Sequence, residues 1–308
     1  MQLWRRARRA RQRGRRLETG PGPKTKVHLA HPHLALANEQ VFPSKRRVSN
    51  WTVILLGIIE GITEFLPVSS TGHLLLAEAW LKPARHPSEV FNVVIQGGAV
   101  LAVILAFAGR LREMARDWRA PATRDYVIKL GVAFVITVIG AVILKKLGLK
   151  LGQNPVPVAW ATLVGGVVIL GVERWLRPVP GSAQITWPVA VAVGCAQLLA
   201  AVFPGTSRSG ASIIVSLGFG ISRPAATEFS FLLGVPTLLS ASGYEVLSLA
   251  RHPEAHEPLG QLVLGTVVAA ITAFAAVKWL LRFVQTHTFV LFGWYRVVLG
   301  ALILVFAR

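Results

Sequence analysis

Side chains able to do chemistry are concentrated in two short segments of an otherwise apolar chain. The first is residues 60–73 (EGITEFLPVSSTGH), and the second is residues 204–210 (PGTSRSG). Together they hold two carboxylates, a run of hydroxyls, a histidine and an arginine. A charged side chain at the centre of a membrane helix costs roughly 2.5 to 3.5 kcal/mol on insertion scales, so such groups usually face a polar cavity. The two segments therefore predict a functional site.

The two carboxylates of the first segment are spaced to act together. Glu60 and Glu64 are four residues apart, so a helix places them on one face and directs them to a single point. Carboxylate oxygens suit Mg²⁺ or Ca²⁺, and Mg²⁺ typically binds one or two carboxylates together with phosphate oxygens of a substrate. The pair predicts a divalent-cation site or an acid–base pair.

A hydroxyl and an imidazole follow the carboxylates. Pro67 ends the first helix, and the hydroxyl cluster at residues 69–71 is typical of a turn and N-cap that begins a second helix. Ser70 and His73 are three residues apart and would share a face of that helix. An imidazole near a hydroxyl can activate a serine nucleophile or transfer a proton.

The second segment has the composition of an anion site. Gly205 and Gly210 let the backbone approach a ligand closely, and the start of the following helix offers free N–H groups that favour phosphate. Arg208 adds a planar fork that matches phosphate oxygens. The hydroxyls beside it belong to Thr206, Ser207 and Ser209.

The rest of the chain reads as membrane-spanning. It is 53% hydrophobic and 15% charged, with a mean hydropathy of +0.54. A spanning helix needs about 20 predominantly apolar residues. The charge-free candidates are residues 91–109, 156–172, 183–207, 229–244 and 259–277, and two further candidates, 126–144 and 288–307, are interrupted by Lys129 and Arg296. The single cysteine, Cys195, excludes an internal disulfide and is expected to be a small hydrophobic residue in a helix.

The chain after residue 50 aligns with itself at an offset of 137 residues. The matched pairs are Gly57 with Gly194, Pro67 with Pro204, Ser70 with Ser207, Gly97 with Gly234, and Lys145 with Arg282. Each repeat, 51–171 and 188–308, would contain one broken segment and three spans. An odd number of spans inverts the second repeat, so we predict an all-α integral membrane protein: an inverted-topology repeat with about six transmembrane helices and two re-entrant helical hairpins.

Loop charges suggest an orientation. The basic loop at residues 110–124 should be cytoplasmic by the positive-inside rule, and nine basic residues then lie on that side against six on the other. This arrangement puts the N-terminus outside, although residues 1–50 carry 13 Lys or Arg and only two acidic residues, a net +11 of the chain's +19. The basic tail conflicts with that side unless the first segment crosses fully or the tail is not native as written.

We expect residues 1–50 to be a disordered extension attracted to anionic lipid. By charge alone they also resemble a nucleic-acid-binding arm, and a start codon assigned too far upstream would also explain them. They lack the apolar core of a signal peptide. Some polar residues after residue 50 have a structural explanation that needs no function. Helix packing could account for Ser69, Ser209, Ser212 and Thr227, and Arg296 could snorkel to the membrane interface. Glu228 is a minor candidate for the site.

At its two polar motifs the chain resembles the undecaprenyl-diphosphate phosphatase family associated with bacitracin resistance in bacteria. The motifs are EGITEFLPVSSTGH at residues 60–73, PGTSRSG at 204–210 and EFSFLL at 228–233, within a match from about residue 51 to 308. The resemblance implies a divalent-metal-dependent enzyme that removes the terminal phosphate of a C55 isoprenoid diphosphate, which recycles the carrier lipid of cell-wall synthesis. It also implies a multi-pass protein of the bacterial inner membrane, an active site open to the outer side, and a substrate on which bacitracin also acts.

The family's roles map onto matching positions of this chain. Ser70 would be the nucleophile or a phosphate ligand, His73 its proton-transfer partner, and Arg208 the group that stabilises phosphoryl charge. Glu60 and Glu64 would hold Mg²⁺ or Ca²⁺ or act in acid–base catalysis. The expected substrate-binding residues are Ser69, Thr71, Gly205, Thr206, Ser207, Ser209, Gly210 and Gln96. Where the family usually has a glutamate, this chain has Asn92, so that carboxylate's role is lost or filled by an amide.

Two rivals remain open at this point. Inverted repeats with broken helices are also typical of secondary transporters, so a carrier or flippase for a phosphorylated lipid is the alternative function. A phosphatase of the phosphatidic-acid type is disfavoured, because its lysine-led and histidine–aspartate motifs do not occur in the sequence. The expected partners are the isoprenoid diphosphate, membrane lipid and, as an open option, a second copy of the chain; we expect no nucleic acid.

Overall fold

The structure is a computed structural model that describes residues 48–81, 88–149, 154–175, 181–251 and 258–306. The predicted basic extension lies almost wholly outside the described residues. Within them the chain forms eleven helices and a single isolated bridge between Ser182 and Ile221. The helices are α1 (Asn50–Thr63), α2 (Ser70–Leu81), α3 (Glu89–Ala106), α4 (Ala108–Arg116), α5 (Pro121–Lys146), α6 (Pro155–Trp175), α7 (Trp187–Val202), α8 (Arg208–Gly218), α9 (Arg223–Arg251), α10 (Leu259–Phe283) and α11 (Val290–Phe306).

The all-α membrane class is confirmed. Four helices are long and apolar enough to cross a membrane: α5, α6, α9 and α10. Helices α3 and α4 meet at a bend of 64°, and they make a fifth span if the bent pair is counted as one. The sixth predicted span is α11, which at 17 residues is slightly short of the roughly 20 that a bilayer requires. The described chain therefore has four to five clear spans where about six were predicted.

One charge-free candidate span is the broken segment expected in the second repeat. The apolar run at residues 183–207 does not form one helix, because α7 ends at Val202 and the chain turns at Pro204 and Gly205 before α8 begins. Gly205 has a φ of +100°, a left-handed conformation that a continuing helix cannot contain. The run is the first arm of a hairpin instead.

Two helical hairpins result, and both are too short to cross. Hairpin A is α1, loop A (residues 64–69) and α2; hairpin B is α7, loop B (residues 203–207) and α8. The longest of these helices has 16 residues, about 24 Å at 1.5 Å per residue, against a hydrocarbon core of about 30 Å. The ends of hairpin B lie together, because Ser182 N–H donates to the Gly220 carbonyl (2.9 Å) and Ser222 N–H to the Ser182 carbonyl (2.8 Å). Hairpin B therefore leaves on the side it enters, as a re-entrant segment does.

Helix packing has the pattern that a two-fold relation would produce. Helix α1 packs on α10 as α7 packs on α5, while α3 packs on α9 and α6 on α11. Exchanging the helices of residues 51–171 for their counterparts in 188–308 leaves these pairs unchanged. The packing supports the inverted repeat, which itself stays a prediction.

The basic loops cluster on one side. A cavity of about 380 Å³ joins Arg110 to Gln184 and Ser222, and another of about 510 Å³ joins Arg223 to Gln285. Segments that precede α7 and α9 thus lie beside the segments that follow α3 and α10. Their common side agrees with the grouping used in the charge count, and its cytoplasmic identity stays a prediction.

Ion pairs hold helices together on this basic side. Arg223 donates to Glu173 at 2.5 Å and joins α9 to α6, and Arg110 Nε donates to Glu228 Oε1 at 2.9 Å. Glu228, the minor site candidate, is therefore engaged with Arg110 at a cavity of the basic side, where it links α4 to α9.

Candidate active site

The tips of the two hairpins are built alike. Ser69 and Ser207 have φ values of +74° and +68°, which are uncommon for residues other than glycine. Each serine caps the helix that follows: Ser69 Oγ accepts from Gly72 N–H (3.3 Å), and Ser207 Oγ accepts from Gly210 N–H (3.1 Å). The two capping serines are 138 residues apart in the sequence. The offset of 137, which matched Ser70 with Ser207, is therefore wrong at the tips. Under the observed match, the first residues of α2 and α8, Ser70 and Arg208, are counterparts.

Ser70, Glu64 and Arg208 form a contiguous group between the tips. Ser70 Oγ donates to Glu64 Oε2 at 2.7 Å. The other carboxylate oxygen, Glu64 Oε1, lies 3.5 Å from Arg208 Nη2, at the limit of a hydrogen bond. Glu64 is buried and Ser70 is half-buried. The hydroxyl thus points at a carboxylate that can accept its proton, beside a guanidinium that can bind an anion.

Arg208 keeps donors free for such an anion. Its guanidinium lies over the Phe65 ring, 5.4 Å from the centroid, and against Gly234 of α9. Among the described residues, its buried Nε and Nη1 atoms have no hydrogen-bond partner. Buried donors normally find partners, so these N–H groups are positioned to receive ligand oxygens.

Gly234 should matter because it gives Arg208 room. A Cβ added at Gly234 would lie 2.5 Å from Nη1 of Arg208, whereas a Cβ at Gly97 would meet only Ser242 at an ordinary 3.5 Å. We expect Gly234→Ala to lower kcat/KM on the order of 10- to 100-fold by displacing the guanidinium. Gly97→Ala, the matched control within a helix, should remain within about twofold. Steady-state phosphate release checks this, and equal rates for the two variants would contradict it.

Glu60 presents an unpaired carboxylate next to Glu64. The C-terminal turn of α1 continues to Glu64, whose N–H donates to the Glu60 carbonyl (2.9 Å), so the predicted shared face is confirmed. Glu60 is fully buried beside Glu64 and Gln96, yet neither carboxylate oxygen has a hydrogen-bond partner among the described residues. Burying an unpaired carboxylate is unfavourable, so these oxygens fit a cation. No cluster of three or more His, Cys, Asp or Glu surrounds them in the described chain.

The predicted contact between His73 and Ser70 does not form. His73 Nδ1 lies 2.7 Å from the Ser69 carbonyl oxygen, and Nε2 lies 2.6 Å from the Tyr295 hydroxyl. Both ring nitrogens are therefore engaged elsewhere, and Glu64 takes the place beside Ser70 that was predicted for His73. One partner is local, since the Ser69 carbonyl lies one helical turn before His73, and the other is the distant Tyr295 of α11.

Arg296 does not snorkel. It is 1% exposed, and its guanidinium donates to five backbone carbonyls. The acceptors are Pro67 of loop A (3.3 Å), Gly205 and Thr206 of loop B (3.0 and 2.9 Å), and Ala161 and Thr162 of α6 (3.2 and 3.1 Å). Arg296 joins the two loops by donating to carbonyls of both, and its signal in the sequence was a charge inside an apolar span.

Several of the other predicted residues form hydrogen bonds that hold the two loops in shape. Ser209 is buried and donates to the Leu66 carbonyl of loop A (3.0 Å), and Thr206 Oγ1 donates to the Phe203 carbonyl (2.8 Å). Buried Thr162 of α6, which the sequence did not single out, donates to the Gly205 carbonyl (3.3 Å). Thr71 is half-buried near the tip. Asn92 keeps an unpartnered buried Oδ1 among the described residues.

Comparison with known proteins places both loops inside a matched region. A model of the bacitracin resistance protein BacA family matches residues 53–302. A protein of Rhizobium etli named undecaprenyl-diphosphatase is 50% identical over 252 residues, which are 81% of this chain and 94% of that protein. Proteins of the same name from Xanthomonas axonopodis pv. citri and Xylella fastidiosa are each 46% identical, over 82% of this chain and 95% and 97% of their own lengths.

Proposed function

The chain belongs to the bacitracin resistance protein BacA family, and from this premise we propose that it hydrolyses undecaprenyl diphosphate to undecaprenyl phosphate and inorganic phosphate at the junction of loops A and B. It is then a phosphoric-anhydride hydrolase that recycles a lipid carrier for cell-wall synthesis. The observation that carries the assignment of the site is the hydrogen bond from Ser70 to Glu64 beside the free donors of Arg208.

The geometry supports a two-step reaction. Ser70 Oγ attacks the terminal phosphorus while its proton passes to Glu64 Oε2, and the bond from that phosphorus to the bridging oxygen breaks. Undecaprenyl phosphate leaves, and Arg208 stabilises charge on the transferring phosphoryl group through its unpaired N–H groups. Water then attacks the phosphorus of the phosphoserine, and the bond from that phosphorus to Ser70 Oγ breaks. Ser70 Oγ takes back the proton held by Glu64 Oε2, and inorganic phosphate leaves.

Glu60 and Glu64 would hold a divalent cation, Mg²⁺ or Ca²⁺. When bound, the cation would supply positive charge near the phosphate oxygens of the substrate. Support comes from the two unpartnered, buried oxygens of Glu60. Glu64 Oε1, which does not accept from Ser70 and lies 3.5 Å from Arg208 Nη2, would be the ligand atom of the second carboxylate. In this arrangement Glu64 Oε2 stays available to the hydroxyl.

Phosphate release with and without a chelator tests the activity and the cation together. We expect chelation to abolish release from undecaprenyl diphosphate, with recovery on adding Mg²⁺ or Ca²⁺. Glu60→Gln should raise the cation concentration needed for half-maximal rate about 10- to 100-fold, whereas the exposed Glu113→Gln should not. Release that ignores the chelator would refute the cation but keep the hydrolase, and substrate binding without release would favour the carrier alternative.

The isoprenoid tail has a path between helices α6, α7 and α8. An almost wholly apolar groove of about 510 Å³ ends at Thr206, Gly210 and Arg296, next to the hairpin tips. Its walls are formed by Trp160, Val164, Phe203, Ala211 and Val215, among others. A lipid diphosphate could then place its charged head group at the polar tips and its apolar chain in this groove. Such a path supports a substrate that reaches the site from within the bilayer.

Filling the groove should discriminate by tail length. Ala211→Trp is expected to raise KM for the C55 diphosphate about 10-fold and to leave a C15 isoprenyl diphosphate within about twofold, because only the longer chain needs the whole groove. Gly131→Trp on the open face of α5 is the control. Equal losses for both tail lengths would place the tail elsewhere.

The protein is a multi-pass membrane protein of a family with bacterial members. We place it in the inner membrane with the site reached from the outer side, since the basic side carries the predicted cytoplasmic loops. The cysteine accessibility of residues at the two ends of hairpin B would test this orientation.

A further inference from the structure

Tyr295 of α11 contacts His73 in a way that no motif in the sequence predicts. The Tyr295 hydroxyl lies 2.6 Å from His73 Nε2. The two rings are nearly parallel, with 8° between their planes and 5.5 Å between centroids. The ring contact and the short distance between the hydroxyl and Nε2 occur together, so Tyr295 meets His73 both by its ring and by its hydroxyl.

The two bonds of His73 determine what each nitrogen does. The Ser69 carbonyl can only accept, so Nδ1 carries the proton of the neutral imidazole. Nε2 is then the acceptor, and the Tyr295 O–H donates to it. Tyr295 therefore occupies the only lone pair with which His73 could have received the proton of Ser70.

His73 in turn touches the strained residue that presents Ser70. Ser69 has a φ of +74°, and a side chain in the left-handed region persists when its surroundings hold it there. The Ser69 carbonyl receives the Nδ1–H of His73, and the Ser69 side chain caps α2 through Gly72. This turn sets the direction of Ser70 toward Glu64.

We propose that Tyr295 is a positioning residue of the hydrolysis: it holds His73 by Nε2, so that His73 Nδ1 stays on the Ser69 carbonyl and fixes the turn that presents Ser70. The chain of contacts runs from α11 to the tip of hairpin A and ends at the attacking oxygen. The expected effect on the rate rests on the proposed function. The expected protonation of the two His73 nitrogens rests on the geometry alone. Tyr295 is 46% exposed, so its conservative replacement has space around it.

A double-mutant cycle in the full-length enzyme tests the proposal. Tyr295→Phe should lower kcat about 5- to 30-fold with KM within twofold, because the turn still binds but presents Ser70 less well. In a His73→Ala background the same replacement should have no further effect. Tyr244→Phe, an exposed tyrosine of α9, is the control. Additive losses, or an unchanged kcat for Tyr295→Phe, would overturn the proposal.

A spectroscopic measurement separates this idea from the enzyme's activity. With ¹⁵N-labelled histidine, we expect wild-type His73 to have a protonated Nδ1 and a hydrogen-bonded, unprotonated Nε2, with His73→Ala identifying the signals. Tyr295→Phe should shift only the Nε2 resonance, to the value of a free acceptor. A wild-type His73 protonated at Nε2 would refute the proposal whether or not the protein releases phosphate, whereas absent phosphate release with the expected spectrum would fault the proposed function alone.

Discussion

Replacing Ser70 with alanine should lower kcat for phosphate release on the order of 10³-fold or more, because no other hydroxyl is in the observed contact with Glu64 Oε2 among the described residues. KM for the lipid should change little, since the tail groove and Arg208 are untouched. Release of inorganic phosphate from undecaprenyl diphosphate, followed in detergent, measures both constants.

The control and the trapped intermediate make this test decisive. Ser240→Ala removes an exposed hydroxyl of α9 that bonds only to its own helix, and it should keep wild-type rates. Rapid quenching of the wild-type enzyme with substrate labelled at the terminal phosphate should transfer label to Ser70. If Ser70→Ala instead raises KM and leaves kcat nearly unchanged, Ser70 is a phosphate ligand and the attacking group lies elsewhere.

Local spacing was a reliable guide to the carboxylates. Glu60 and Glu64 share a face because a helical turn depends only on neighbouring residues, and the turn from Glu60 to Glu64 is present. Pro67 and Pro204 likewise marked where the two short helices are interrupted. What depends on a single turn of backbone could be predicted from the sequence.

The register of the two tips could not be predicted in this way. Both tips contain consecutive hydroxyl residues, so the sequence offers several serines that could cap each helix. The choice is made by which residue adopts positive φ, and the structure selects Ser69 and Ser207. A shift of one residue changes the counterpart of Arg208 from Thr71 to Ser70. The two side chains assigned to the reaction are then the first residues of equivalent helices.

Long-range contacts explain the remaining errors. His73 and Ser70 are spaced to share a face, yet the ring's second nitrogen is taken by Tyr295, 222 residues away. Arg296 in an apolar span fits either an interfacial or an inward position, and the carbonyls that decide between them come from α6 and from both loops. Neither Tyr295 nor the carbonyls around Arg296 can be identified from the residues adjacent to His73 or Arg296 in the sequence.

Replacing Arg296 with methionine should disrupt both loops at once. The loop carbonyls of Pro67 and Thr206 would lose the donor that Arg296 supplies, the Gly205 carbonyl would keep only its bond from Thr162, and each unsatisfied buried group costs about 1 to 3 kcal/mol. We expect a loss of at least about 2 kcal/mol in the free energy of unfolding and a fall in kcat/KM of about 100-fold or more, because the tips carry Ser70 and Arg208. Thermal unfolding in detergent and phosphate release measure the two effects.

Arg296→Lys distinguishes a lost charge from a lost fork. A lysine keeps the positive charge but has one nitrogen, which cannot reach acceptors in loop A, loop B and α6 together as the planar guanidinium does. Hydrogen exchange should therefore accelerate at residues 64–72 and 203–210 in Arg296→Lys, even where the protein stays folded, while Arg282→Lys at the exposed end of α10 should leave those amides protected. Wild-type protection and activity in Arg296→Lys would mean that charge alone holds the tips together; faster exchange at both loops, with the rest of the chain unchanged, would mean that one side chain of α11 keeps the two halves of the site in register.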